Sequence, residues 1–385
     1  MAEAFIVDAV RTPTGKGGGA LAEHHAADLA AIPIKALLER TGVSPDAVED
    51  VQLGCVNQIG PQTSCVARTA WLSAGLPEHV PGVTVDRRCG SSLQAAQFAA
   101  TTVIAGVADL VVAGGVESMS VVPLGSPRRA SVEGKSEPLP GPFDGDGWRG
   151  RYGGVDPSQF RGADMIAEEW GFDRDRLEDL AEASHTRAAE AWDAGRFDAE
   201  VCATPGLERD EGIRYPVDRE KMATLKPLAE GGTITPALSS QISDGAAALL
   251  IASERAVEQH ELEPLARIHT MTVVGDDPMI MLTAPVPATR KAFERSGLGP
   301  SDFDVVEINE AFASVVALCE QELGFDRDQV NVNGGAMALG HPLGATGSKL
   351  LTTLTHELRR RNGRYGLVTL CEAGGQANTM IVERV

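Results

Sequence analysis

Cys89 opens the run Cys89-Gly90-Ser91-Ser92, which follows Val83-Thr84-Val85 and Asp86-Arg87-Arg88 and precedes Leu93, Ala96, Ala100 and Ile104 at helical spacing. A thiol where a strand gives way to a helix feels the positive end of the helix dipole, and Arg87 and Arg88 beside it add to the pull toward thiolate. Small neighbours let a ligand come close. On these residues alone Cys89 reads either as a nucleophile or as a buried bystander. His341 sits in the glycine-rich run Asn333–Gly347 ahead of another helix, a turn that suits a close ligand better than a core. Cys371 stands at a strand end before Gly374-Gly375, and Asn309 ends the apolar run Val305–Ile308. Ligands of α/β sheets collect beyond the carboxyl ends of strands, where all four residues fall. Two thiols, an imidazole and an amide converging there suit acyl chemistry on a thioester.

The elements that would carry these residues occur twice. Residues 36–56 and 291–311 align at a constant offset of 255, placing Glu39-Arg40-Thr41-Gly42 on Glu294-Arg295-Ser296-Gly297 and Pro45 on Pro300. Each copy reads as a helix ending in glycine, a turn with proline and a short apolar strand. Further β-like runs precede each copy, at Ala4–Ala9 and Ala266–Val274. Downstream, Val83–Val85, a turn, a helix and the strand Ala108–Ala113 are matched by Val330–Val332, a turn, a helix near Ser348–Arg361 and the strand Gly366–Leu370. Helix-length crossovers favour parallel strand pairs, so the pattern predicts a duplicated α/β fold. Residues 120–240 interrupt it. They are rich in Gly, Pro and charge from Pro123 to Asp156 and then helical around Ala163–Gly171 and Arg174–Gly195, which predicts an insertion folded over one face.

Composition bounds the partners. The 385 residues carry 34 Lys+Arg against 54 Asp+Glu, a formal charge of −20 that opposes nucleic acid and anionic membranes. Arg149, Arg151, Arg161 and Arg214 in the insertion are candidates for a local phosphate-binding patch, or solvated surface arginines. No apolar run is long enough to span a bilayer, and no signal peptide is evident, so a cytoplasmic protein is expected. Six cysteines without CxxC pairing, and eight histidines without metal-ligand spacing, argue against a disulfide scaffold or a metal site.

At these motifs the chain resembles the thiolases, the acetyl-CoA acyltransferases and 3-ketoacyl-CoA thiolases. The likeness includes Val10–Lys16, Asp86–Ser92, Gly114–Ser120, Asn309–Ala313, Gly334–Gly347 and Cys371–Gly375. It implies a five-layered αβαβα body with an inserted loop domain: an N-terminal half at 1–260, including the insertion, and a C-terminal half at 261–385. It implies that Cys89 carries the acyl group, that His341 deprotonates the attacking thiol and lines an oxyanion hole, and that Cys371 moves the α-carbon proton. Asn309 would hold a water for the thioester enolate, and the backbone N–H groups of Cys89 and Ala373 would form a second oxyanion hole. By the same likeness Ser240, Ala311, Phe312 and Arg214 would contact CoA, and Met281 would border the acyl pocket. CoA is then a substrate, with no permanently bound cofactor, and a homodimer or homotetramer is implied.

Three departures stand out. Ala373 replaces the first glycine of the family's Cys-x-Gly-Gly-Gly, which strains the turn if that position needs a positive φ. Ser158-Gln159-Phe160 stands where the insertion often carries His-Met-Gly, which leaves the acyl size open. Cys55, whose repeat partner is Glu310, is either a packing residue or a redox partner near the site. The ending Cys371–Asn378 looks most like thiolases of actinobacterial lipid and steroid breakdown. The rival readings are a non-catalytic thiolase-like acyl-CoA or lipid binder, which should lack a catalytic side chain, and a decarboxylating condensing enzyme, whose Cys-His-His or Cys-His-Asn pattern a second cysteine opposes. Gly17-Gly18-Gly19 lacks the strand and helix of a nucleotide-binding GxGxxG unit.

Overall fold

A computed structural model of the chain describes residues 2–129 and 139–385. The first copy runs β1 (Ala4–Arg11), β2 (Gly15–Lys16), α1 (Ala26–Thr41), β3 (Asp50–Gly54), α2 (Val66–Ser73), β4 (Gly82–Val85), α3 (Ser91–Ile104) and β5 (Leu110–Ser118). An insertion follows with α4 (Asp146–Tyr152), α5 (Gln159–Glu169), α6 (Arg174–Asp193) and α7 (Arg219–Ala223), before β6 (Ser243–Ser253) and α8 (Glu254–Gln259) complete the copy. The second copy runs β7 (Ala266–Gly275), α9 (Pro285–Ser296), β8 (Val305–Ile308), α10 (Ala313–Leu323), α11 (Ala336–Leu339), α12 (Thr346–Arg361), β9 (Tyr365–Glu372) and β10 (Gln376–Arg384).

The repeat seen in sequence is a repeat of local physics. Gly42 (φ 66°) ends α1 and Gly297 (φ 74°) ends α9, each in the left-handed region and each donating its N–H to the carbonyl four residues back. Proline then opens a short 3₁₀ turn in both copies, at Pro45–Ala47 and Pro300–Asp302, ahead of β3 and β8. The strands join in the order β4-β3-β5-β6-β1-β7-β10-β9-β8, with β2 on β6, so the two copies meet where β1 pairs antiparallel with β7. Within the copies β3/β4, β3/β5 and β8/β9 are parallel, as the crossover helices require.

Three buried clusters layer the body. Leu37, Trp71 and Leu53 pack α1 and α2 on the outer face of the first copy. Leu93, Ala96, Leu351 and Leu354 place α3 and α12 together between the two parts of the sheet, against Leu249 and Val368. Val315, Leu318 and Leu367 cover the outer face of the second copy, where Ile166, Leu177 and Ala181 of the insertion join them. β5 is buried along its whole length, as a strand covered on both faces must be. The result is the five-layer α/β/α/β/α arrangement.

One expected strand is missing. Val330–Val332 makes a single parallel bridge, Val330 to Val306, because Asn331 turns out of the extended region at φ 46°. Its side chain replaces the ladder instead. The Ile308 N–H donates to Asn331 Oδ1 at 2.8 Å, and Asn331 Nδ2 donates to the Ile308 carbonyl at 2.9 Å. The insertion is clamped by Arg11, fully buried at the end of β1, whose guanidinium bonds Glu200 at 2.6 Å and Asp210 at 2.8 Å.

Candidate active site

α3 and α12 start side by side: the Ser348 N–H donates to Ser92 Oγ at 2.9 Å, and Gly347 lies so close to Leu93 that a Cβ would collide with its backbone. The loops preceding these helices carry Cys89 and His341. Arg88 takes φ 49°, and Ser91 Oγ accepts from the Arg87 N–H at 2.9 Å, so the chain tightens before the helix begins. Asn309 follows β8, with its N–H on the Thr369 carbonyl of β9 at 3.1 Å, and Cys371 lies on that same strand. The carboxyl ends of β4, β8 and β9 thus deliver Cys89, Asn309 and Cys371 to one place.

His341 has a defined tautomer. Its Nδ1 lies 2.6 Å from Thr346 Oγ1, and that hydroxyl gives its one proton to the Pro342 carbonyl at 2.9 Å. Nδ1 must therefore be the N–H donor, which leaves a lone pair on Nε2, approached by Asn309 Nδ2 at 3.4 Å. The backbone N–H of His341 is held by Ser243 Oγ at 3.1 Å. Burial and the nearby Lys349 ammonium press the imidazole down to about 3, so it rests neutral. Lys349 is itself buried on α12 and donates to the carbonyls of Leu339 and Gly340, both at 2.9 Å, pinning the two residues ahead of His341.

The thiols depart from the expectation for Cys89. Burial first, then Glu372 once ionised, push it up to about 12 against the opposing N–H groups of Cys89 and Ala373 and the charge of Arg88. The dipole and the arginines do not win, because Cys89 is 7% exposed and Arg87 turns its guanidinium to Gln376 at 2.9 Å. Cys371 is raised well above the ordinary thiol range by burial and by its neighbour Cys89. Both thiols rest protonated, as the imidazole rests neutral. The Ala373 substitution carries no strain: Ala373 stays out of the left-handed region, while Gly374 (φ 93°) and Gly375 (φ 71°) occupy it.

The other predicted contacts divide. The Ser240 N–H donates to the Ala311 carbonyl at 2.9 Å, and Ser239 bridges Phe312, so Ser240, Ala311 and Phe312 form one wall. Met281 is buried at φ 66° against Gly162 of α5. Phe160, in the stretch that departs from the family, meets Phe312 edge to face at 5.8 Å. Arg214 is exposed, with its N–H on His185 Nδ1 at 3.1 Å. Of the other insertion arginines, Arg149 pairs with Asp144 at 3.0 Å and Arg151 lies over the Tyr152 ring. Cys55 is buried in the first outer core among Val51, Leu53 and Val66, and burial beside Glu117 pushes its thiol up. Among the described residues no group of acidic, cysteine or histidine side chains could hold a metal ion, and no helix is long and apolar enough to cross a membrane. Sequence reasoning missed Ser243, Thr346, Lys349 and Glu372. Lys349 carried a signal, a lysine on the same face of a helix as Thr346 and Thr353 that turns inward.

Residues 4–255 match the thiolase N-terminal domain and residues 262–384 the thiolase C-terminal domain. The chain belongs to the thiolase family. It is 51% identical to a steroid 3-ketoacyl-CoA thiolase of Mycobacterium tuberculosis over all of this chain and 95% of that protein. It is 43% identical to a 3-oxoadipyl-CoA/3-oxo-5,6-dehydrosuberyl-CoA thiolase of Escherichia coli, with both chains fully covered. The crystal structure of the Bacillus anthracis acetyl-CoA acetyltransferase superposes with a TM-score of 0.89 at 35% identity, covering 100% of this chain and 99% of that one. The chain is thus an enzyme of thiolytic acyl transfer, and the non-catalytic reading is not favoured.

Proposed function

We propose that this protein cleaves a bulky 3-ketoacyl-CoA with CoA, through an acyl thioester on Cys89. The observation that carries the assignment is the neutral His341, with Nδ1–H on Thr346 and an Nε2 lone pair that faces Asn309 Nδ2 at 3.4 Å. As the Cys89 sulfur attacks the 3-keto carbon, its proton passes to Nε2. A buried thiol this reluctant to ionise loses its proton in concert with carbon–sulfur bond formation. The alkoxide faces the N–H groups of Cys89 and Ala373. When the bond between C2 and C3 breaks, its electron pair forms the enolate of acetyl-CoA, and Cys371 gives C2 a proton. Asn309, through a water, and His341 stabilise that enolate. The incoming CoA thiol then gives its proton to the Cys371 thiolate and attacks the Cys89 thioester, and the proton held on His341 Nε2 returns to the Cys89 sulfur as the shortened acyl-CoA leaves.

CoA runs along Ser240, Ala311 and Phe312, with Arg214 toward its phosphates and Met281 at the acyl end. The relative from Mycobacterium tuberculosis supports a steroid-derived acyl group. The half-exposed edge strand β4 supports a dimer, or a tetramer built from it, and the enzyme is taken as cytoplasmic with no resident cofactor. The division into 1–260 and 261–385 follows the duplication. Incubation with 3-ketoacyl-CoA and CoA, followed by mass spectrometry, tests the reading. Loss of the 3-keto substrate and an acyl adduct on Cys89 are expected. An adduct on Cys371 instead would reverse the roles, and no turnover across short, long and polycyclic substrates would end the assignment.

A further inference from the structure

Glu372 follows Cys371 and is fully buried, yet neither of its carboxyl oxygens makes a hydrogen bond. A second buried acceptor, Asn378 Oδ1, also lacks a partner. Its orientation is fixed, because Asn378 Nδ2 donates to the Gly90 carbonyl at 2.9 Å. The two oxygens converge on the same spot: a Cβ at Gly90 would collide with Glu372 Oε1 and stand 2.8 Å from Asn378 Oδ1. Two buried acceptors this close to one spot repel unless one of them carries a proton. An amide oxygen cannot carry it, and a carboxyl can.

We infer that Glu372 is held as a neutral carboxylic acid whose proton bridges to Asn378, and that this neutrality keeps a negative charge away from the Cys89 nucleophile. The charges facing Glu372 divide, and burial outweighs the one that opposes neutrality. Burial raises the carboxyl to about 8, and Asp86 opposes a second negative charge. Arg87 and the Asn378 N–H pull the other way, but Arg87 bonds Gln376, makes no ion pair with Glu372, and the Asn378 N–H completes no hydrogen bond to it. Cys89 and Cys371, the other titratable groups against it, both rest protonated. Glu372 touches no reacting atom and acts through Cys89. The inference rests on Cys89 being the nucleophile proposed above.

The test reads the thiol without turnover, so that its failure and a failure of the thiolase reading stay distinct. Alkylation of Cys89 by iodoacetamide is followed by peptide mass spectrometry from pH 6 to 10, in the wild type and in Glu372→Gln, whose amide can donate to Asn378 as the acid does. The two rates are expected to agree at pH 7 and to separate above pH 8. At about pH 9.5 the variant should react about tenfold faster, because a like charge within ~4–6 Å raises a thiol by about one unit or more. Lys349, which also titrates near 8, is common to both proteins and cancels in the comparison. A variant already tenfold faster at pH 7 would mean that Glu372 is ionised at rest and would overturn the inference. Equal rates throughout would overturn it too. Should that variant not fold, Glu372→Asp takes its place in infrared difference spectra against the wild type, both labelled at glutamate: at pH 7 the difference is expected to contain the carbonyl band of one protonated glutamic acid, and a carboxylate band alone in the difference refutes the proposal.

Discussion

Lys349→Met asks whether the His341 loop is held by chemistry on the neighbouring helix. The ammonium gives two hydrogen bonds, to Leu339 and Gly340, immediately before His341, and among the described residues no other group donates to both carbonyls. Charge-assisted hydrogen bonds of this kind contribute about 1.5–3 kcal/mol each, so their loss releases about 3–6 kcal/mol of restraint on the turn. Methionine fills the space of the stem without replacing the donors. A base displaced by about 1 Å can lose about a hundredfold in rate. The expected outcome is a kcat for thiolysis lower by about 30–100-fold, or about 2–3 kcal/mol in barrier, with KM for the acyl-CoA changed less than about threefold. Rates are normalised to folded protein, measured by circular dichroism and gel filtration, so that unfolded protein does not count as lost catalysis. A folded variant with kcat within twofold of the wild type would refute the reasoning. Raising the pH is a separate control. Lys349 is lowered to about 8 by burial, against the pull of Asp210 and Glu200, yet the neutral amine keeps two N–H donors. Deprotonation should therefore leave the loop in place where the methionine does not.

Three further outcomes follow from the same contacts. His185 and His341 are lowered by burial to about 4 and about 3, so between the unfolded value of 6.5 and those values the unfolded chain binds more protons. Their stabilisation is full above pH 6.5 and is lost on acidification, by up to about 1.4 kcal/mol per pH unit for each. Urea midpoints at pH 7 and 5 should fall less in His185→Gln than in the wild type; the comparison separates the histidine from the buried Glu117, Glu307 and Glu310, whose raised values act in the opposite sense. Phe160→Ala removes an edge contact worth about 0.5–1.5 kcal/mol and should shift kcat/KM between short and polycyclic acyl-CoAs several-fold; an unchanged ratio would remove Phe160 from the acyl pocket. Arg11→Met leaves Glu200 and Asp210 buried without their cation, which should destabilise by about 3–5 kcal/mol and open residues 199–240 to protease; unchanged cleavage would show that the clamp is dispensable.

The duplication was legible because it is written in local rules, glycine caps and proline turns, that each copy must obey separately. The site was legible only where its chemistry shows in residue type. Glu117 and Glu372 explain why the rest was not. At the offset of 255 they occupy the same strand position in the two copies, and both are fully buried. Glu117 accepts from Val56, Asn57, Gln62 and Gly344, partners drawn from three separate segments. Glu372 has none of these, and no spacing within the chain announces the difference. The same alignment puts Cys89 on Gly344, which presses against Cys55 and Val116 of the other copy, and Asn309 on Gly54, which presses against Ser91 and Ser92 of its own copy and the Gly344 carbonyl of the other; a Cβ would fit at neither. In each pair one copy supplies the reactive group, and the other supplies a glycine that lets the two loops close on one another. A single asymmetric site therefore follows from a symmetric fold. The buried acid that the duplication left without the partners of Glu117 lies beside Cys89, the proposed nucleophile, where a change in its protonation would have the most effect.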